Sequence, residues 1–284
     1  MKKKQNSWKI LFACILLSAG VAGVNYLWAG GDGNALCVAA DKPVECALAK
    51  DKEVALECPA KLSGTPEVLL QKSCFLISYN VERLCPNYVC WRLTEERVRG
   101  KVKRSNNFHA DLSMEENRRV DYFDYNGSGY DRGHMCPAGD NKHAEVAMEE
   151  SFCMTNICPQ NHDLNMNAWN DLEKHCRSWV RNYGTIYICC GPIFDTESPK
   201  TIGRRKGMKI AVPDRFFKVV LMLGRRPKAI GFIYPNRACD GDLRDYAVSV
   251  DEVERQTGID FFAQLDDQQE KLLERECAPA AWGI

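Results

Sequence analysis

The chain has no net charge. Its 38 Lys and Arg are matched by 38 Asp and Glu over 284 residues, so the sum supplies no overall pull toward nucleic acid or a membrane surface. No internal repeat and no long low-complexity linker divides the sequence, which excludes a modular array and leaves one core with an appendage. No Cys-x-x-Cys pair occurs among the 15 cysteines, which argues against a zinc cluster and against a dithiol redox site. At 45% hydrophobic residues the chain carries enough apolar mass for one large core.

The amino terminus is the first positive signal. Lys2, Lys3, Lys4 and Lys9 precede an apolar run over 10–29 without a charged residue, the pattern of a secretory signal or of an uncleaved membrane anchor. Small residues at Ala22-Gly23 and Ala29-Gly30 offer cleavage sites, and the expectation is export to a periplasmic or extracellular space. Membrane attachment is then confined to an uncleaved run. Removing Cys14 with that run leaves an even number of cysteines, a density that points to disulfides in an oxidising compartment. Residues 31–66 form a cysteine-containing extension, and 67–284 form the main domain.

Within that domain, continuous apolar runs over 185–190, 216–223 and 229–234 predict buried strands. Segments 144–154, 165–181, 250–258 and 266–275 predict helices. The mixture predicts an α+β fold. Basic residues concentrate in 200–228 and again in 97–104, while the region after Asp240 is acidic. That asymmetry predicts a basic groove that tracks phosphates, or else an ordinary solvated surface.

Chemistry concentrates in two stretches. In Asp131-Arg132-Gly133-His134, an imidazole follows a glycine that gives backbone room, and histidine is the side chain best suited to take a proton near neutral pH. Asn165 begins a segment with Trp169, Leu172, Cys176 and Trp179 at helical spacing. Glu173 and Arg177 lie eight and twelve residues beyond Asn165, so one helix could carry an oxygen ligand, a carboxylate and a guanidinium on one side. Asn165 also suits a helix cap, and Glu173 with Arg177 a surface ion pair. Trp169 and Trp179 read as core.

Residues 77–264 resemble the DNA/RNA non-specific endonucleases of the ββα-metal type. The resemblance is carried by Tyr130-Asp131-Arg132-Gly133-His134, by Thr155-Asn156-Ile157-Cys158-Pro159-Gln160 and by the run from Leu164 to Glu173. It implies a central antiparallel sheet flanked by helices and an enzyme that hydrolyses DNA and RNA phosphodiesters to 5′-phosphate ends. It implies His134 as general base and Asn165 as the direct protein ligand of Mg²⁺, with Mn²⁺ or another divalent ion as the alternative. Glu173 would orient the ion's waters, and Arg132 and Arg104 would pair with phosphate, with Arg99 as the alternative to Arg104 and Arg177 as a further substrate contact. Asn156 matches a residue near the active site that organises the histidine loop. A homodimer is left open. Two competing readings are a non-catalytic nucleic-acid binder and a cysteine-dependent redox or structural secreted protein. The first predicts binding without cleavage, the second a distinctive thiol count.

Overall fold

A computed structural model describes residues 55–284; the apolar run 10–29 and Cys14, Cys37 and Cys46 lie outside the described residues. Strands β1 (Val68–Gln71), β2 (Leu76–Asn80) and β3 (Cys85–Leu93) open the domain, followed by helix α1 (Glu95–Arg99). The motif segment then supplies β4 (Asp131–His134), α2 (Glu145–Ser151), β5 (Ile157–Gln160), α3 (His162–Met166) and α4 (Ala168–Tyr183). The remainder is β6 (Ile186–Ile193), β7 (Thr201–Ile202), β8 (Ile210–Ala211), β9 (Arg215–Met222), β10 (Lys228–Pro235), β11 (Ala247–Val248), α5 (Val250–Thr257) and α6 (Asp267–Glu274).

Seven strands form one antiparallel sheet in the order β1-β2-β3-β6-β9-β10-β11. Both of its faces are covered, which is why its central strands read as continuous apolar runs rather than alternating ones. Along β9, Phe216, Val220 and Met222 point to one core, and Phe217, Val219 and Leu221 to the other. The first core is closed by α4, which inserts Trp169, Leu172, Cys176 and Trp179. Burying each large side chain there contributes about 1.5–3 kcal/mol. The second core is closed by Val250 and Val253 of α5 and by Ile259 and Phe261 beyond it. Cys58 also packs into this second core and the Ala60 amide donates to the Asp260 carbonyl, so residues just before β1 are built into the domain.

The helix expected over 165–181 is two helices. The chain breaks at Asn167, whose backbone (φ −111°, ψ −96°) is not helical. Asn165 is therefore not a cap: Asn161 caps α3, accepting from the amides of Asp163 and Leu164, and Asn165 sits in the last turn of that short helix.

β4 and β5 pair as a two-stranded ribbon with His134 opposite Ile157 and Gly133 opposite Cys158. Gly133 is required by packing. A Cβ on it would lie 2.3 Å from Oε1 of the buried Gln160, inside van der Waals contact. Gly133→Ala is expected to lower stability by about 1–3 kcal/mol, the usual cost of an overpacked interior, and to displace His134 beside it. A thermal melt matching wild type would show that the ribbon yields more easily than this packing implies.

Candidate active site

Five chain segments converge on a cleft of about 410 Å³ lined by Arg104, Arg132, His134, Asn165, Glu173 and Arg177, among others. His134 ends β4. Its imidazole is packed edge-on against Phe152, with ring centroids 4.8 Å apart, and against Phe108 at 5.3 Å. Nε2 has no hydrogen-bond partner. Burial, reinforced by the Arg104 guanidinium, lowers its pKa to about 3. The ring is therefore neutral at physiological pH, in the form that accepts a proton.

Asn165 is aimed by Asp131. Its Nδ2 donates to Asp131 Oδ2 at 2.9 Å, and His162 Nδ1 meets the same oxygen at 3.0 Å. With the amide nitrogen held this way, Oδ1 is the end left for the cleft. A single neutral oxygen donor beside a carboxylate fits a hard, strongly hydrated divalent ion that keeps most of its water.

Glu173 and Arg177 project from α4, one turn apart, with Asn170 on the same face. Arg177 is held by Asp140: Nη1 donates to Asp140 Oδ1 at 3.0 Å and lies 3.7 Å from Glu173 Oε2. Asp140 is itself fixed by the Trp91 indole N–H at 3.2 Å. Arg177 thus lines the cleft with Nη1 committed to the two carboxylates. Neither is the pair a surface pair, because both side chains are largely buried.

Beneath them lies Lys218, which the basic-groove expectation had counted among the phosphate-tracking residues. It is 1% exposed, and its Nζ sits 4.5 Å from the Trp169 ring centroid and 5.1 Å from that of Trp91. Period-two alternation on β9 turns it to the α4 side, toward Glu173. Burial opposes its charge, but neighbouring thiols together with Glu173 and Asp140 outweigh that and raise its pKa. Glu173 in turn is raised to about 7 by burial, a shift that Lys218, Arg177 and Arg104 hold in check. The sequence signal was a lone lysine in the apolar run Phe216-Phe217-Lys218-Val219-Val220, a charge that only a buried partner can keep.

The remaining cationic residues divide sharply. Arg104 lines the cleft, its guanidinium 5.0 Å from the Phe152 ring and its Nε on Asn106. Arg99 pairs with Glu95 along α1 and does not line the cleft. Arg132 is steadied by Tyr122 O and Asn126 Oδ1 and lies 5.3 Å from the Phe108 ring, with donors still uncommitted. Arg97 is buried and donates to the carbonyls of Asp140, Cys74 and Arg92. Arg205 is bound to Asp124 and Arg215 to Asp195, so the segment over 200–228 is no continuous basic strip.

Asn156 is fully buried. Its Oδ1 accepts from the Cys136 amide while Nδ2 donates to the carbonyls of Cys136 and Ser151, which locks the turn after His134. It organises the loop and cannot touch substrate. Cys136, Cys153 and Cys158, beside the motifs, are buried thiols, and burial pushes each pKa up.

For a Glu173 that acts as a carboxylate, activity is expected above about pH 7 and to fall as the pH drops through that value, whereas His134 stays neutral throughout. Lys218→Met removes a cation that holds the Glu173 pKa down, so the acid limb of kcat/KM against pH should move upward. An unmoved limb in a folded variant would remove Lys218 from this role.

Comparisons with known proteins agree with this geometry. The sequence model of the DNA/RNA non-specific endonuclease family matches residues 57–268. Mitochondrial endonuclease G of Bos taurus is 34% identical over 218 residues, covering 71% of this chain and 72% of its own. Nuclease C1 of Cunninghamella echinulata var. echinulata is 33% identical over 217 residues, covering 72% and 86%. Among solved structures, an EndoG chain from the EndoG/EndoGI inhibition complex matches with TM-score 0.66 and 30% identity over 72% of this chain and 91% of that one. The family depends on a divalent metal ion. The antiparallel sheet, the β4–β5 ribbon leading into α3 and α4, and the extent of these matches place the chain in the DNA/RNA non-specific endonuclease family, as a hydrolase acting on nucleic acids.

Proposed function

We propose that the chain cuts DNA and RNA internally with His134 as general base and leaves 5′-phosphate ends. The observation that carries this is the neutral imidazole of His134 lining a cleft shared with Asn165, Arg132 and Arg104. His134 accepts a proton from water, and the resulting hydroxide attacks phosphorus as the 3′ oxygen departs. Arg132 and Arg104 hold non-bridging phosphate oxygens, and Glu173 orients water through its carboxylate. Asn165 Oδ1 would hold the ion, with Mg²⁺ the best fit to so sparse a ligand set; when bound it offsets charge on the phosphate and the leaving oxygen. Contacts confined to the sugar-phosphate backbone read no base, which supports action on both polymers.

The test is full-length protein incubated with plasmid DNA and with RNA, in Mg²⁺ and in chelator. Metal-dependent loss of both polymers with 5′-phosphate ends is expected. Retention of both polymers uncut across divalent ions would replace the nuclease reading with a binding one.

Export belongs to the same proposal, supported by the lysine-led apolar run 10–29 and by the cysteine count, with the end of the 31–66 extension, from Cys58 on, packed into the nuclease domain. Cys58 and Cys90, whose sulfurs lie 3.7 Å apart, are placed for a bridge in an oxidising compartment. Among the described residues no helix is long and apolar enough to cross a membrane.

A further inference from the structure

We propose that Asp251, Glu254 and Glu274 form a calcium site, distinct from the cleft, that ties α5 to α6. One carboxylate oxygen from each lies within 4.8 Å of the others. Asp251 and Glu254 are three apart on α5 and share a face, and Glu274 is the last residue of α6.

Glu274 is the decisive residue. It is 5% exposed, and its Oε1 is buried with no hydrogen-bond donor reaching it. An anion at the end of α6 is opposed both by burial and by the negative end of the helix dipole. No lysine or arginine pairs with any of the three among the described residues. The further charges that act on Glu274 are Glu270 and Asp260, which are also acids. Burial and these neighbours push Glu254 up to about 7 and Glu274 up to about 9, so the three carboxylates crowd one another without a basic side chain among them.

The ligand set selects the ion. Three clustered carboxylates suit calcium, which takes about six to eight oxygens in flexible geometry, whereas magnesium is usually held by one or two carboxylates and gives up its water reluctantly. One Glu254 oxygen is fixed by the Phe261 amide at 2.8 Å, which sets the carboxylate's orientation. Asp251 is exposed and provides the route in. The ion would pin α5 and α6 over the second core, away from the residues that touch substrate.

The test uses the full chain carrying Asn165→Ala, which removes the oxygen ligand in the cleft, with and without the added pair Glu254→Gln and Glu274→Gln. Equilibrium dialysis with radioactive calcium should show one ion per chain lost on adding the pair. Millimolar calcium should raise Tm by about 5 °C only where the carboxylates are intact. Equal calcium uptake by both proteins, or none by either, overturns the proposal. Stabilisation on acidification from pH 8 to 5 without calcium uptake overturns it too, because the three carboxylates then share protons instead. Neither readout uses nuclease activity, so failure here leaves the proposed cleavage chemistry standing.

Discussion

His134→Ala is expected to lower kcat by about 10²–10⁴-fold, the range that a positioned general base contributes, with little change in the affinity for polymer. The imidazole makes no hydrogen bond through Nε2, so its removal orphans no partner there. Arg104 and Arg132 stay in place through Asn106, Asn126 and Tyr122. The aromatic contacts of His134 with Phe108 and Phe152 are lost, which sets the accompanying fall in stability at about 1 kcal/mol. Single-turnover cleavage of a short duplex, with binding measured in parallel, separates the effects. A rate within a few-fold of wild type would assign the proton to another group.

Asn165 gives the second large effect, and its two substitutions discriminate between roles. Asn165→Ala removes the only oxygen that this side chain offers to an ion, and activity at ordinary metal concentrations should fall by about 10²-fold or more, partly recovered at high metal. Asn165→Asp would at first seem the better ligand. Yet Nδ2 is 2.9 Å from Asp131 Oδ2, so the substitution replaces a hydrogen bond with two carboxylates in contact. Like charges at that distance cannot both ionise freely, and the pair should take up a proton or swing apart. Asn165→Asp is therefore expected to be nearly as impaired as Asn165→Ala, and to regain activity when Asp131→Asn is added. Full activity in Asn165→Asp alone would mean that Asp131 does not aim the ligand. Metal-titrated rates for the four proteins decide the matter.

Much of this was legible in the sequence, for identifiable reasons. The buried strands were visible because a sheet covered on both faces makes its central strands largely apolar on both sides, as in β6 and, apart from Arg215 and Lys218, β9. His134 stood out because it follows Gly133 and closes the motif Tyr130-Asp131-Arg132-Gly133-His134 that carries the resemblance. Asn165, Glu173 and Arg132 reached the same cleft as expected, but the helix break at Asn167 was invisible: the apolar spacing from Leu164 to Trp179 continues through it, and only backbone angles reveal the change. Lys218 and Arg97 were misplaced for one reason. Counting charges along a chain cannot tell a solvated lysine from one held between Trp91 and Trp169, and burial turned two supposed phosphate contacts into scaffolding. The thiols beside the motifs show the same limit, since cysteine density does not say which sulfurs meet.

Asp140, Glu173, Arg177 and Lys218 form a largely buried set of two acids and two bases in and behind the cleft wall, while Arg104 and Arg132 line the same cleft. Ionic screening reaches these two sets unequally. Mobile ions compete with Arg104 and Arg132 for the polymer, but they screen the largely buried set much less. Raising the ionic strength should thus slow capture while the wall keeps its shape, and inhibition by salt should reverse on dilution without any refolding.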